Sequence, residues 1–116
     1  MAKRRSYRTL DGSRAWELVR PEDGSERMSV ARARVDAGQR TLAHRHRTSD
    51  EVYYVLSGDG TVVVAGCETA VRPGDVVLIP AGAEHWVASG HRGLELLCLC
   101  SPPYEHDDTD LTGTQE

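Results

Sequence analysis

Two histidines one residue apart, His44 and His46, are followed by Glu51, and a third, His85, comes after the Pro/Gly turn "PAGA". On a β-strand, residues i and i+2 point to the same face, so His44 and His46 can offer both imidazoles to one ligand. If "RTSD" between them and Glu51 forms the bend of a hairpin, the next strand can bring the carboxylate alongside. Imidazoles and a carboxylate converging inside a barrel suit a divalent transition metal: Fe, Mn, Co, Ni, Cu or Zn. An ion that accepts six ligands would then keep open positions for water, substrate or oxygen. The plain alternative is a set of unrelated polar residues at strand ends, and a His-x-His pair alone would favour it. Buried imidazoles and carboxylates, however, need a partner, and a cation is one.

Positioning such a set falls to short strands. Turn signals punctuate the chain at "DGS" (11–13), "PEDGS" (21–25), "SGDG" (57–60), "RPGD" (72–75), "PAGAE" (80–84) and "SGHRG" (89–93). The runs between them read as strands over 14–20, 28–36, 40–46, 51–57, 61–65, 68–72, 76–80, 84–89 and 94–100. No segment sustains a helical period. Regular short strands with frequent turns predict an all-β sandwich or barrel.

The 116 residues suit one domain with a real core, and that core must be built from Val, Leu, Ile and Ala, because Phe is absent. Three segments are expected: a basic N-terminal extension over 1–13, a barrel over 14–101 and an acidic tail over 102–116, which Tyr104 could anchor. The extension carries Lys3, Arg4, Arg5 and Arg8, and the tail carries Glu105, Asp107, Asp108, Asp110 and Glu116. So short a basic run reads as a solvated terminus rather than a nucleic-acid contact, and no nucleic-acid-binding motif supports it. No apolar stretch follows it as in a signal peptide, and none approaches a membrane span. The three cysteines, Cys67, Cys98 and Cys100, lack the spacing of a disulfide framework. A reducing cytoplasm is therefore the expected compartment.

The residues around the histidines resemble the cupin superfamily, in its small single-domain form. The stretch 38–58 is similar to the first cupin motif, with Gly38, His44, His46, Glu51 and Gly58 in its spacing. The stretch 74–89 is similar to the second, with Gly74, Pro80, Gly82 and His85. One position departs: where the family usually carries Asn, this chain has Ser89, which weakens a turn-stabilising hydrogen bond and leaves the ligands untouched. The resemblance implies a conical double-stranded β-helix, or jelly roll. It also implies one mononuclear metal held by His44, His46, Glu51 and His85.

Other residues acquire expected roles from strand parity. Tyr53 shares parity with Glu51, so it should face the interior and could orient a substrate or transfer a proton, although packed core is its more ordinary role. Arg40 shares parity with His44 and could clamp an anionic substrate at the barrel mouth. Tyr54 and Trp86 should face away from the metal, and Cys98 and Cys100 should be buried thiols. His91 and His106 read as solvated. The resemblance thus favours a metal-dependent enzyme acting on a small molecule, a non-haem dioxygenase first. Lewis-acid isomerase, lyase or cyclase chemistry on a sugar or polyketide-like substrate is one alternative, and a non-catalytic ligand-binding module is another. A homodimer is expected, because small barrels expose edge strands; "AWELVR" could pair across subunits.

Overall fold

The computed structural model describes residues 6–113. Its described residues contain nine strands and no α-helix: β1 (Ser6–Arg8), β2 (Arg14–Val19), β3 (Ser29–Val35), β4 (His44–His46), β5 (Asp50–Val64), β6 (Cys67–Val71), β7 (Val76–Ile79), β8 (His85–Ser101) and β9 (Thr109–Leu111). Short 3-10 turns occupy Pro21–Asp23 and His106–Asp108. All pairing is antiparallel, as hairpin-rich short strands favour. The sheet curls on itself as a jelly-roll barrel. No helix among the described residues is long and apolar enough to cross a membrane.

The spine is the β5–β8 pair, in register from Asp50 opposite Ser101 to Val64 opposite His85. Sequence patterning divides each of these strands in two, placing turns at 57–60 and 89–93. Instead both run through, and the glycines mark bends. The ladder slips between Val55 and Ser57 and again between Gly58 and Gly60, and such bulges let a strand bend from one half of the barrel to the other. Gly58 and Gly60 are required there because the strands touch backbone to backbone. A Cβ on Gly58 would lie 2.0 Å from the Gly93 carbonyl oxygen, and one on Gly60 would lie 2.4 Å from that of Ala88.

Alternation then sorts side chains. On β5, Glu51, Tyr53 and Val55 are buried while Tyr54 and Leu56 are exposed. Tyr53, Val55, Val62, Ile79, Val87, Leu94 and Leu96 pack together as the core. Ser89 still fastens its turn: its hydroxyl faces the Asp36 and Gln39 carbonyls, and its N–H donates to the Gln39 carbonyl at 2.9 Å.

Both ends of the described span pair with the barrel. β1 pairs with β2, and the β1–β2 turn docks on the barrel through the Leu42 N–H, which donates to the Asp11 carbonyl at 2.7 Å. Strand pairing thus crosses the expected boundary at 13, and Lys3, Arg4 and Arg5 lie outside the described residues. β9 crosses the other boundary by pairing with β4, setting His46 opposite Thr109. The acidic tail is partly neutralised by the barrel, since Arg47 Nη1 meets Asp110 at 2.6 Å and Arg45 meets it at 3.4 Å. In "AWELVR", β2 pairs with β3 over Arg14–Val19 but with β1 only over Arg14–Trp16, so the edge expected there begins at Glu17.

Asp108 fastens this tail. Its carboxylate accepts from the Thr48 N–H and hydroxyl, both at 2.9 Å, and from the Ser49 N–H at 3.2 Å. Burial opposes its charge, but the hydrogen bonds from Thr48 and Ser49 outweigh that and hold its carboxyl below the ordinary value. A depressed folded value means the contribution is complete above the unfolded carboxyl range of about 4 and fades as pH falls through the folded value. Asp108→Ala should therefore lower the melting temperature by a few degrees at neutral pH. In thermal melts at successive pH values, that gap should close in acid; a gap independent of pH would contradict the assignment.

Candidate metal centre

His44 and His46 point inward from β4, with Arg45 between them facing solvent. β8 brings His85 directly opposite His44, with ring centroids 4.2 Å apart. Among the described residues, these imidazoles form a group with one ring nitrogen each, all within 4.8 Å of one another. Glu51 reaches the same point from β5: its Oε1 lies 3.2 Å from His46 Nε2 and 3.1 Å from His85 Nε2. All four side chains are buried, His85 completely.

Hydrogen bonding fixes which nitrogen faces inward. His44 Nδ1 lies 2.8 Å from the Leu42 carbonyl and His85 Nδ1 3.0 Å from that of Ala83. A carbonyl only accepts, so both Nδ1 atoms carry hydrogen. His46 Nδ1 lies 2.9 Å from Thr109 Oγ1, whose own proton goes to the Glu105 carbonyl at 3.0 Å. There too Nδ1 donates. In the neutral rings, each Nε2 therefore presents a lone pair to the common centre. This is the arrangement in which outer partners orient metal-binding imidazoles.

The consequence is an electrostatic conflict. His85 Nε2 and Glu51 Oε1 are buried acceptors that face each other without a hydrogen bond. Either a proton on Nε2 or a cation between them must relieve it. Burial resists charging His85, but Glu51 beside it outweighs burial and raises its affinity for a proton. Burial likewise pushes the Glu51 carboxyl up, yet His46 and His85 bring it down to about 2. His44 is shifted the other way, by burial and then by His85, so it favours the neutral ring. A proton can bridge Glu51 to one imidazole at a time, whereas one ion can meet every lone pair at once. Ligands about 2.1 Å from a shared ion and at right angles lie roughly 3 Å apart. The separations of Glu51 Oε1 from His46 Nε2 and His85 Nε2 are of that size, so these donors fit a divalent ion, and the three imidazoles lie close enough together to share it.

The site opens into a cavity of about 350 Å³ lined by apolar side chains such as Val35, Val87 and Leu96 and by Tyr53, Cys98 and Cys100. Burial first, then Glu51, raises the Tyr53 hydroxyl well above its ordinary value, so it is a hydrogen-bond donor rather than a base. The same causes keep the Cys98 and Cys100 thiols protonated. Cys100 Sγ lies 3.5 Å from Glu51 Oε2 and can donate to it.

Arg40 departs from its expected place. Its guanidinium stacks 4.0 Å from the Trp86 ring, and it lines a separate pocket, not the histidine-lined one. The reason is local. Residues 41–43 are not a strand, so the alternation counted back from His44 breaks, and Thr41 turns inward instead, where its hydroxyl accepts from the Val87 N–H at 2.9 Å. His106, expected to be solvated, is exposed, and from the cavity's rim it meets the Tyr104 hydroxyl at 2.9 Å. Sequence reasoning missed Thr109 and Asp11 at the centre, because no spacing rule ties an acidic tail or a turn to a distant histidine.

A family model for the cupin domain matches residues 31–100. This chain is a cupin. The matched span leaves out β1, β2 and β9, the elements that bring Asp11 and Thr109 to the histidines. Among curated proteins, this cupin is 38% identical to an uncharacterized protein of Methanocaldococcus jannaschii over 111 residues, covering 94% of this chain and 89% of that one. It is 41% identical over 63 residues to a 5-aminosalicylate 1,2-dioxygenase of Comamonas sp., covering 54% of this chain but 17% of that enzyme. Among solved structures it matches a polyketide cyclase from Streptomyces resistomycificus with a TM-score of 0.81 at 21% identity, covering 97% of this chain and 82% of that one. At that identity the likeness is one of fold.

Proposed function

We propose that this cupin is a metal-dependent enzyme acting on a small organic molecule, with His44, His46, His85 and Glu51 as metal ligands. One observation carries this reading: buried Nε2 lone pairs converge on a buried carboxylate oxygen, and the outer hydrogen bonds keep the ring protons elsewhere. A divalent ion there would supply Lewis acidity toward a substrate oxygen or, if it is iron, a binding place for dioxygen beside a substrate held in the cavity. The chain does the rest. Val35, Val87 and Leu96 give the cavity dry walls, and Tyr53, held protonated, can donate a hydrogen bond to a substrate oxygen.

The oxygen-dependent reading comes first, supported by the imidazole-rich donor set and the local likeness to an aminosalicylate dioxygenase. A Lewis-acid isomerase, lyase or cyclase is the second, favoured by the cavity's hydroxyl donors Tyr53 and Tyr104, which can hydrogen-bond to a substrate oxygen as it gains negative charge. We also infer a homodimer, supported by exposed Tyr54, Leu56, Val76 and Leu78 on the outer face of β5 and β7.

Elemental analysis of protein purified anaerobically, without affinity-tag nickel, tests the proposal. About one iron per chain is the result expected for oxygen chemistry, whereas stoichiometric zinc, nickel or manganese would select the Lewis-acid reading. Failure to hold any of these metals after reconstitution would overturn both and leave a ligand-binding barrel.

A further inference from the structure

Asp11 sits at the tip of the β1–β2 turn, outside the span matched by the family model, yet it lines the cavity beside His44. Its side chain is only 15% exposed, and Oδ2 lies 3.6 Å from His44 Nε2. The turn is built to hold it there. Oδ1 accepts from the Ser13 N–H at 2.9 Å, from the Ser13 hydroxyl at 2.8 Å and from the Thr9 hydroxyl. These contacts occupy one carboxylate oxygen and aim the other inward. Leu42 couples the turn to the histidine, since its N–H donates to the Asp11 carbonyl and its own carbonyl accepts from His44 Nδ1. His44 Nε2 is therefore a lone pair with the anionic Oδ2 of Asp11 3.6 Å away.

We propose that Asp11 is a fifth metal ligand, its Oδ2 binding the same ion as His44, His46, His85 and Glu51. The inference rests on the metal-enzyme reading and extends it. Two carboxylates neutralise a divalent ion, and the added oxygen favours metals that accept five or six ligands over a closed tetrahedral one. On an ion that takes six, five protein ligands leave a single position for substrate or oxygen.

The test compares wild type with Asp11→Asn in cobalt(II) titrations that read affinity and visible spectrum together. Asparagine keeps an oxygen for Ser13 and Thr9 and replaces the inward one with an amide nitrogen, so the turn is retained. The expected result is an affinity at least about tenfold weaker, with visible bands that strengthen as the coordination number drops. Weaker binding with an unchanged spectrum would mean that Asp11 acts only through space, and equal binding would mean that it only shapes the turn; either overturns the proposal. A second readout needs no variant. In a crystal structure of the manganese(II)-loaded wild-type protein, Asp11 Oδ2 at about 2.2 Å from the ion supports ligation, and a longer separation refutes it. Wild type that binds neither metal would instead defeat the metal-enzyme reading itself.

Discussion

In His85→Ala, bound metal should fall from about one ion per chain to nearly none, and the thermal stabilisation that metal is expected to give the wild type should disappear. His85 is the fully buried member of the set and touches its other parts, opposite His44 in the ladder and 3.1 Å from Glu51 Oε1. Removing it deletes one ligand and leaves Glu51 with one fewer cationic or metal-bridged neighbour. An ion that binds only the folded state stabilises it by about 2.7 kcal/mol at a hundredfold excess over the dissociation constant. For a domain of this size that raises the melting temperature by roughly 10 °C. Elemental analysis and paired melts with and without added metal check both halves. The variant's own stability is a separate matter: it loses packing around an empty ring site, yet it also sheds the buried conflict with Glu51. The decisive quantity is therefore the metal-induced shift. A full shift in His85→Ala would remove His85 from the ligand set and would also undo the case for Glu51, whose inward oxygen is placed by the same contact.

The histidines were legible because two chemical facts coincide in a short stretch. Period-two alternation puts His44 and His46 on one face, and the parity of β5 puts Glu51, Tyr53 and Val55 inside. Motif spacing linked His85 to them, which alternation alone could not, since the partner strand is forty residues away. The errors cluster where alternation lapses. Arg40 was counted inward through residues 41–43, which are not a strand, and Thr41 holds that inward place. Glycine-rich stretches at 57–60 and 89–93 read as turns, because a glycine that permits a reversal and one that permits a close crossing look alike in sequence. The ends of the chain were opaque for another reason. Nothing local in "LDGS" or "DDTDL" shows that the first will place Asp11 on His44 or that the second will lay Thr109 against His46; both depend on which edges the finished barrel leaves open.

That close crossing carries the second large effect. Gly58→Ala should lose roughly 3–5 kcal/mol, a large part of the 5–15 kcal/mol that holds a typical domain together. Two costs combine. Gly58 has φ of +88°, a conformation that costs an ordinary residue about 1–2 kcal/mol. The new methyl would also sit 2.0 Å from the Gly93 oxygen and 3.0 Å from the Leu94 Cα, and backbone on a central strand cannot move aside as a side-chain tip can. Gly74→Ala separates the costs, because Gly74 has φ of +94° but nothing within 4 Å of its would-be Cβ. It should lose only the conformational part. Denaturant unfolding of both variants checks the difference, and equal losses would show that the β5–β8 contact is soft. The crossing also bears on the chemistry. β5 carries Glu51 and β8 carries His85, and they are held in register through Gly58 and Leu94. Whatever Gly58→Ala protein still folds should bind metal more weakly than wild type, since prising the strands apart there shifts the carboxylate relative to the imidazole with which it is proposed to share an ion.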